Sequence, residues 1–279
     1  MHRLGPDVRE RVDRAVPTAA AVPTRPRRLL VLSLNARDGV AFDGGHSSIE
    51  PANYAIERMG AVTGAYAAVF SDDVRLLAAE HLAAFDALCF NNTVGVLTDD
   101  PALREGLLSF VAGGGGFVGL HAAAATFCQY PDYSQFPAFG QMLGGYENGG
   151  HPWGPEETIV LSPTDRDNPI NAAFGGRDFE ICDEVFQMRE HYDRRRLRVL
   201  LSINTQRTDV GPARRLLPER RADMDFAISW VRRHEAGRVF YSSLGHNPHI
   251  FWNAPVLAHF LAGIQYALGD LAADDTPTG

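Results

Sequence analysis

The sequence predicts an α/β fold with a mostly parallel central sheet flanked by helices, and three observations predict it. Between residues 28 and 125, short apolar runs of strand length alternate with helical patterns. The links between them are short, as βαβ units require, and their crossovers are expected to be right-handed. Gly113-Gly114-Gly115-Gly116 then open the run Phe117-Val118-Gly119-Leu120, which ends on His121 where the helix formers 122–125 take over. A buried strand that breaks this sharply into a helix leaves one side chain at the bend, aimed out of the carboxyl edge of the sheet.

Each element follows from its residues. The 279 residues allow one large domain or two small ones, and 45% hydrophobic content fills a packed core. Residues 1–26, rich in Arg, Pro and Ala, read as an arm lying on the surface or on a partner subunit, with a helical piece at 7–16. The α/β domain spans 27–270, and 271–279 read as a frayed tail. Residues 28–34 form a continuous apolar strand suited to the middle of a parallel sheet. The polar, Gly-rich loop 35–48 holds His46, and a helix follows at 49–59 with Ser47 or Ser48 as cap and Glu50 in its first turn. Strands at 66–70 and 87–90 flank a short helix at 74–81, and the second of them runs into Asn91-Asn92-Thr93. Pro101 opens a helix to 111 with Asp99 or Asp100 as cap. In the second half a helix at 136–143 leads into a Gly- and Pro-rich loop at 144–154. Strands at 158–161, 179–185 and 198–203 suggest a partly antiparallel section. Residues 205–225 form an Arg-rich surface excursion of ~20 residues, a length usual for lids and interface elements. Strands at 226–234 and 237–244 pair around the Glu235-Ala236-Gly237 turn, Gly245-His246-Asn247 end the last strand, and a helix at 254–268 closes the fold.

Composition excludes several functions. A net charge of −8 argues against nucleic-acid and anionic-membrane surfaces. All 26 basic residues are Arg, so Schiff-base lysines, pyridoxal-phosphate attachment and the phosphate-loop lysine are ruled out. Cys89, Cys128 and Cys182 sit in apolar contexts with neither disulfide nor zinc spacing and read as buried thiols of a reducing compartment. With no apolar run of the ~20 residues a membrane helix needs and no hydrophobic signal core, the expected location is the cytoplasm.

Polar groups recur at strand ends: His46 after the first strand, Asn92 after the third, His121 after the fourth, Asp183 and Glu184 at the end of another, and His246 after the last, while His151 lies in the glycine-rich loop. Parallel strands bring their carboxyl ends to one rim, where ligands gather in open α/β sheets. Two chemistries suit such a set. His121, Glu184 and His246 can remove and return a proton near neutral pH. Alternatively, His121, His151, Glu184 and His246 are ligands that a zinc or manganese ion takes, a reading that rests on convergence because no local His-Glu-x-x-His motif occurs. Substrate contacts are expected from His46, Asn92, His151, Trp153 and Asn247, although the residues around Trp153 lean toward core over a stacking face for a sugar ring. Glu184, flanked by Val185 and Phe186, needs a partner to offset burial, whereas Asp183 reads as structural. His81, His191, His234, His249 and His259 read as ordinary packing or surface residues, and the Arg runs 194–196 and 214–221 as solvated faces or subunit contacts.

Taken together, Gly-Gly-Phe-Val-Gly-Leu-His-Ala-Ala at 115–123, Gly-Gly-Tyr and His-Pro-Trp within 144–153, Asp-Glu at 183–184, Gly-Arg-Val-Phe-Tyr-Ser-Ser-Leu-Gly-His at 237–246 and Gly-His-Ser-Ser-Ile at 45–49 resemble the trehalose-utilisation (ThuA-like) family over about residues 28–268. The resemblance implies a flavodoxin-like sheet of the class I glutamine amidotransferase type. His121 then stands where those enzymes carry the nucleophilic Cys, so thiol acyl transfer is not expected, and Cys128 does not substitute for it. The family is associated with disaccharides and other glycosides, often beside dehydrogenases that make 3-keto sugars. It therefore implies an enzyme acting on an oxidised sugar or glycoside by elimination, hydrolysis or isomerisation. The alternatives are a non-catalytic sugar-binding or regulatory module and a metal-dependent glycoside hydrolase. A homodimer or higher homo-oligomer is the expected assembly. The N-terminal arm and the Arg-rich 205–225 depart from the family pattern.

Overall fold

In the computed structural model, which describes residues 4–37, 40–41, 45–129, 134–147, 151–211 and 221–278, the first strand, β1 (Arg28–Leu32), buries Leu29 to Leu32 completely. Both of its faces are covered, because successive side chains point to opposite sides. Leu29 and Val31 join the core that holds α1 (Pro6–Ala15), α2 (Ile49–Thr63) and α5 (Ala254–Ala267), whereas Leu30 and Leu32 join that of α3 (Pro101–Ala112) and α4 (Pro137–Leu143). The result is a three-layer α/β arrangement.

The remaining strands are β2 (Ala67–Ser71), β3 (Ala87–Asn91), β4 (Gly116–Leu120), β5 (Thr158–Pro163), β6 (Phe179–Cys182), β7 (Arg198–Ile203), β8 (Ala227–His234) and β9 (Gly237–Ser242). They form one sheet in the order β2-β1-β3-β4-β9-β8-β7-β5-β6. The first five strands of this order are parallel, and the remaining neighbours pair antiparallel. The 2-1-3-4 start is the flavodoxin-like order, in which the chain reverses direction across the sheet between β1 and β3 and opens a crevice there. Through its successive antiparallel partners, β6 again runs in the sense of β4 and β9. Its carboxyl end therefore opens on the same rim, and the loop that leads into β5 reaches that rim as well.

The N-terminal segment expected as a surface arm is instead packed: Val12 is fully buried in the core of α2 and α5, and Asp13 accepts bonds from Tyr54 and Arg58 on α2. The segment after α5, expected to fray, is held by Arg198–Asp274 and Arg233–Asp275 ion pairs and by the Tyr266 hydroxyl, which donates to Asp275. α2 runs one turn past the expected end, to Gly64, whose φ of 70° closes the helix. The expected helix after β4 is only a 3₁₀ turn, His121–Ala125, because Thr126 is drawn off it by bonds to Thr93 and a bridge to Gly95. The loop after β1 carries a short hairpin, Ala36–Arg37 with Val40–Ala41. Of the Arg-rich excursion, 212–220 lie outside the described residues, as do 148–150 of the glycine-rich loop. Arg194 pairs with Asp225, and Arg195 and Arg196 with Asp193. Among the described residues no helix is long and apolar enough to cross a membrane.

Candidate functional site

Four segments carry polar side chains to the carboxyl rim. The loop after β1 brings His46, the break after β4 brings His121, the end of β6 is followed by Asp183 and Glu184, and the turn after β9 brings His246. His121 sits at φ 45° and Asn92, after β3, at φ 55°. Both therefore leave their strands through the left-handed region, which side-chain-bearing residues adopt rarely and often at functional sites.

The ligand-type atoms of His46, His121, Glu184 and His246 all lie within 4.8 Å of one another, a grouping of the described residues that joins three imidazoles and a carboxylate. Ring centroids are 4.8 Å apart for His46 and His121, 5.0 Å for His46 and His246, and 5.3 Å for His121 and His246. Glu184 Oε1 is 3.6 Å from His246 Nε2 and 3.6 Å from His151 Nδ1. Phe186 stacks on His121 at 4.4 Å and meets the His151 ring at 5.0 Å, forming an apolar wall to the cluster.

Burial and the neighbouring imidazoles govern protonation here. Burial, then the charges that His246 and His151 would carry, push His46 down to about 4. Burial, then His46, holds His121 well below the ordinary imidazole value. Both rings are thus neutral near pH 7. His121 Nδ1 donates to the Ser243 carbonyl at 2.8 Å, which leaves the lone pair on Nε2, and that buried atom has no partner. His46 Nδ1 is likewise buried and unpartnered. Buried polar atoms without partners are uncommon and call for a reason. Neutral imidazoles with free lone pairs beside one carboxylate are the donor set of a first-row divalent cation, and the Nδ1–H bond to a backbone carbonyl is the usual outer support of such a ligand. Asp183, wholly buried, is pushed up to about 7 by burial against backbone N–H bonds from Gly245, Asn247 and His246.

The residues expected from sequence separate into groups. His121, Glu184 and His246 meet, and His46, expected as a substrate contact, stands among them. His151, expected among the ligands, lies outside that tight group on its open side, its side chain 43% exposed and one nitrogen turned to Glu184. Asn92 is wholly buried, with its amide nitrogen donating to Asn91 Oδ1. Trp153 packs in the core edge-on to Phe226 and donates to the Asp209 carbonyl. The Asn247 amide donates to the carbonyls of Pro155 and Cys182, holding the rim loops to each other. Phe186 and Ser243 carried no warning in the sequence of their contacts with His121. An aromatic after a carboxylate and a serine at the end of a strand look like packing, and only the Gly245-His246 that follow that strand pointed to the neighbourhood.

A family model described as trehalose utilisation (ThuA) matches residues 38–267, which include all four residues of the cluster. Among solved structures, a putative ThuA-like protein from Bacteroides uniformis is similar with a TM-score of 0.65 and 18% identity, covering 89% of this chain and 93% of that one. A putative ThuA-like protein from Parabacteroides merdae gives a TM-score of 0.60 at 16% identity, covering 90% and 93%. The cytoplasmic protein STM3548 from Salmonella typhimurium gives 0.51 at 12% identity, covering 84% and 97%. No curated protein matches the chain. The ThuA-like neighbours have the class I glutamine amidotransferase-like fold, in agreement with the sheet order described above. By the extent of the match and the fold it shares with these proteins, the chain belongs to the trehalose-utilisation (ThuA) family.

Proposed function

We propose that this protein is an enzyme of sugar metabolism acting on an oxidised, 3-keto sugar or glycoside at the rim cluster, with a zinc or manganese ion held by His46, His121, Glu184 and His246. The observation that supports this reading is the convergence of three imidazoles and a carboxylate to within 4.8 Å, with His121 Nε2 and His46 Nδ1 buried and unpartnered. Bound there, such an ion supplies a Lewis acid for a carbonyl oxygen. The chain's own residues do the rest. Ser243 fixes the His121 tautomer, and Phe186 holds the ring from one face. Burial makes His121 a poor proton carrier, so that role passes to His151, which is open to solvent on one side and faces Glu184 on the other. A ketone acidifies the neighbouring C–H. His151 takes that proton and returns it to the leaving oxygen, which gives elimination to an unsaturated ketone and, once a solvent water adds across its double bond, net hydrolysis; return of the proton to carbon instead gives isomerisation. The partner is a small-molecule sugar or glycoside. A homo-oligomer in the cytoplasm, where the free thiols of Cys89, Cys128 and Cys182 stay reduced, completes the reading.

Metal analysis of purified protein and a turnover screen test this. The expected result is about one divalent ion per chain and turnover of a 3-keto-glucoside but not of its parent glucoside, lost with chelator and restored by zinc or manganese. His121→Ala is expected to lose both metal and turnover. Calorimetric binding of an unmodified sugar without turnover under any metal would instead identify a binding module. Chelator-sensitive hydrolysis of unoxidised glycosides would identify a metal-dependent glycoside hydrolase.

A further inference from the structure

We infer that the backbone of Gly245 is a clasp that sets the mutual placement of His46, His121, Glu184 and His246, with Ser48 and Asp183 as its positioning residues. This rests on the reading of the cluster as the functional site. The Gly245 N–H donates to Asp183 Oδ2 at 2.7 Å, one residue before Glu184. Its carbonyl accepts from the Ser48 hydroxyl at 2.6 Å, two residues after His46. His246 follows directly, and the second oxygen of Asp183 takes the Asn247 N–H at 2.8 Å, so the turn that carries His246 is gripped on both sides of it. At Gly245 φ is 127°, and an added Cβ would stand 3.5 Å from His121 Cβ and 3.2 Å from Phe251 Cζ, so this backbone also lies close against the His121 strand end. One residue thus touches, directly or through a single side chain, every segment that supplies a member of the cluster.

Ser48 supplies the independent observation. It occupies the N-cap position of α2 but makes no capping bond to its own helix. Its backbone is already helical at φ −81°, ψ −12°, and its wholly buried hydroxyl crosses to Gly245. A cap residue that leaves its own helix unserved breaks a local rule, and such departures concentrate where a site must be held.

The test compares wild type, Ser48→Ala, Ser48→Thr and Asp183→Asn. In the metal-free protein, Ser48→Ala is expected to shift the imidazole 15N and 1H resonances of His46 and His246 while leaving those of the distant, buried His259 in place. Cobalt(II) affinity is expected to fall about 10- to 100-fold with altered visible d–d bands, the usual scale for loss of an outer-shell support. Ser48→Thr, which keeps the hydroxyl, should restore both. Unmoved His46 and His246 resonances with unchanged cobalt affinity would overturn the inference. If wild type binds no cobalt, the metal reading fails and the resonances alone decide the clasp. If Ser48→Ala does not fold, shown by loss of the His259 signals, Asp183→Asn replaces it with the same readouts, since it exchanges one acceptor oxygen for an NH₂ at unchanged side-chain shape.

Discussion

His121 occupies the left-handed region at φ 45°, is wholly buried, and keeps Nε2 without a partner. For a residue with a Cβ that conformation costs roughly 1–2 kcal/mol, which the surrounding bonds from Tyr241 and to Ser243 must offset. A glycine there has no such strain. His121→Gly is therefore expected to be more stable than His121→Ala by about 1 kcal/mol, seen as a higher urea midpoint, although both lack the imidazole. Equal midpoints would mean that the strain is relieved some other way. The histidine itself was visible in the sequence, since its position at a glycine-flanked strand end placed it outside the hydrocarbon pattern. Ser48 was visible only as a helix cap, because its partner, Gly245, is 197 residues away and no local signal reports so distant an acceptor. Trp153 shows the opposite limit. Its neighbours His151 and Pro152 suggest a surface turn, yet the indole has both a packing partner and an acceptor inside.

Helix α1 is the element whose role changed most between sequence and structure. Its Arg-rich composition reads as solvated, but Val12, Ala15 and Val16 fall on one stripe that packs against α2, while the arginines ring the contact, Arg9 lying over Tyr54 and Arg11 over Trp252. Val12→Ala deletes two buried carbons at ~0.8 kcal/mol each and leaves a cavity, so a loss of about 2 kcal/mol is expected. The exposed Arg14→Ala should move stability by less than about 0.5 kcal/mol. Chemical denaturation of the two variants checks this, and indifference to Val12→Ala would return α1 to the status of a loose arm. Strands and long helices were readable because their periodicity is local: α3 begins at Pro101 with Asp100 accepting from Ala102 N, as its residues require. Element ends were less so. The strand expected to 185 stops at Cys182 because Asp183 turns to accept the Gly245 and Asn247 N–H groups, a tertiary demand that overrides local strand preference.

For the molecule as a whole, acid stability has a readable origin away from the site. His259 on α5 lies wholly buried among Phe174, Phe240 and Phe260, donates Nδ1–H to the Ile170 carbonyl and meets the Ser229 hydroxyl at 2.9 Å. Burial lowers it from 6.5 to about 4. The unfolded chain therefore takes up a proton below about pH 6.5 while the folded chain refuses it until about pH 4. Its contribution is complete above 6.5, falls as pH drops through that window, and levels off below it, a loss on the order of 3 kcal/mol. Denaturation midpoints at pH 7.5 and 4.5 should converge in His259→Gln relative to wild type; an unchanged acid limb would place the sensitivity elsewhere. By itself the sequence determined the α/β class, the parallel strands and the strand-end histidines, because hydrophobic period, glycine breaks and short links are written within a few residues of where they act. Only the tertiary structure decided that His46 rather than His151 completes the tight group, that α1 is core, and that Gly245 joins the loops of the rim. Those outcomes depend on sheet order and on bonds between segments 41 to 197 residues apart, and distance of that kind leaves no trace in local pattern.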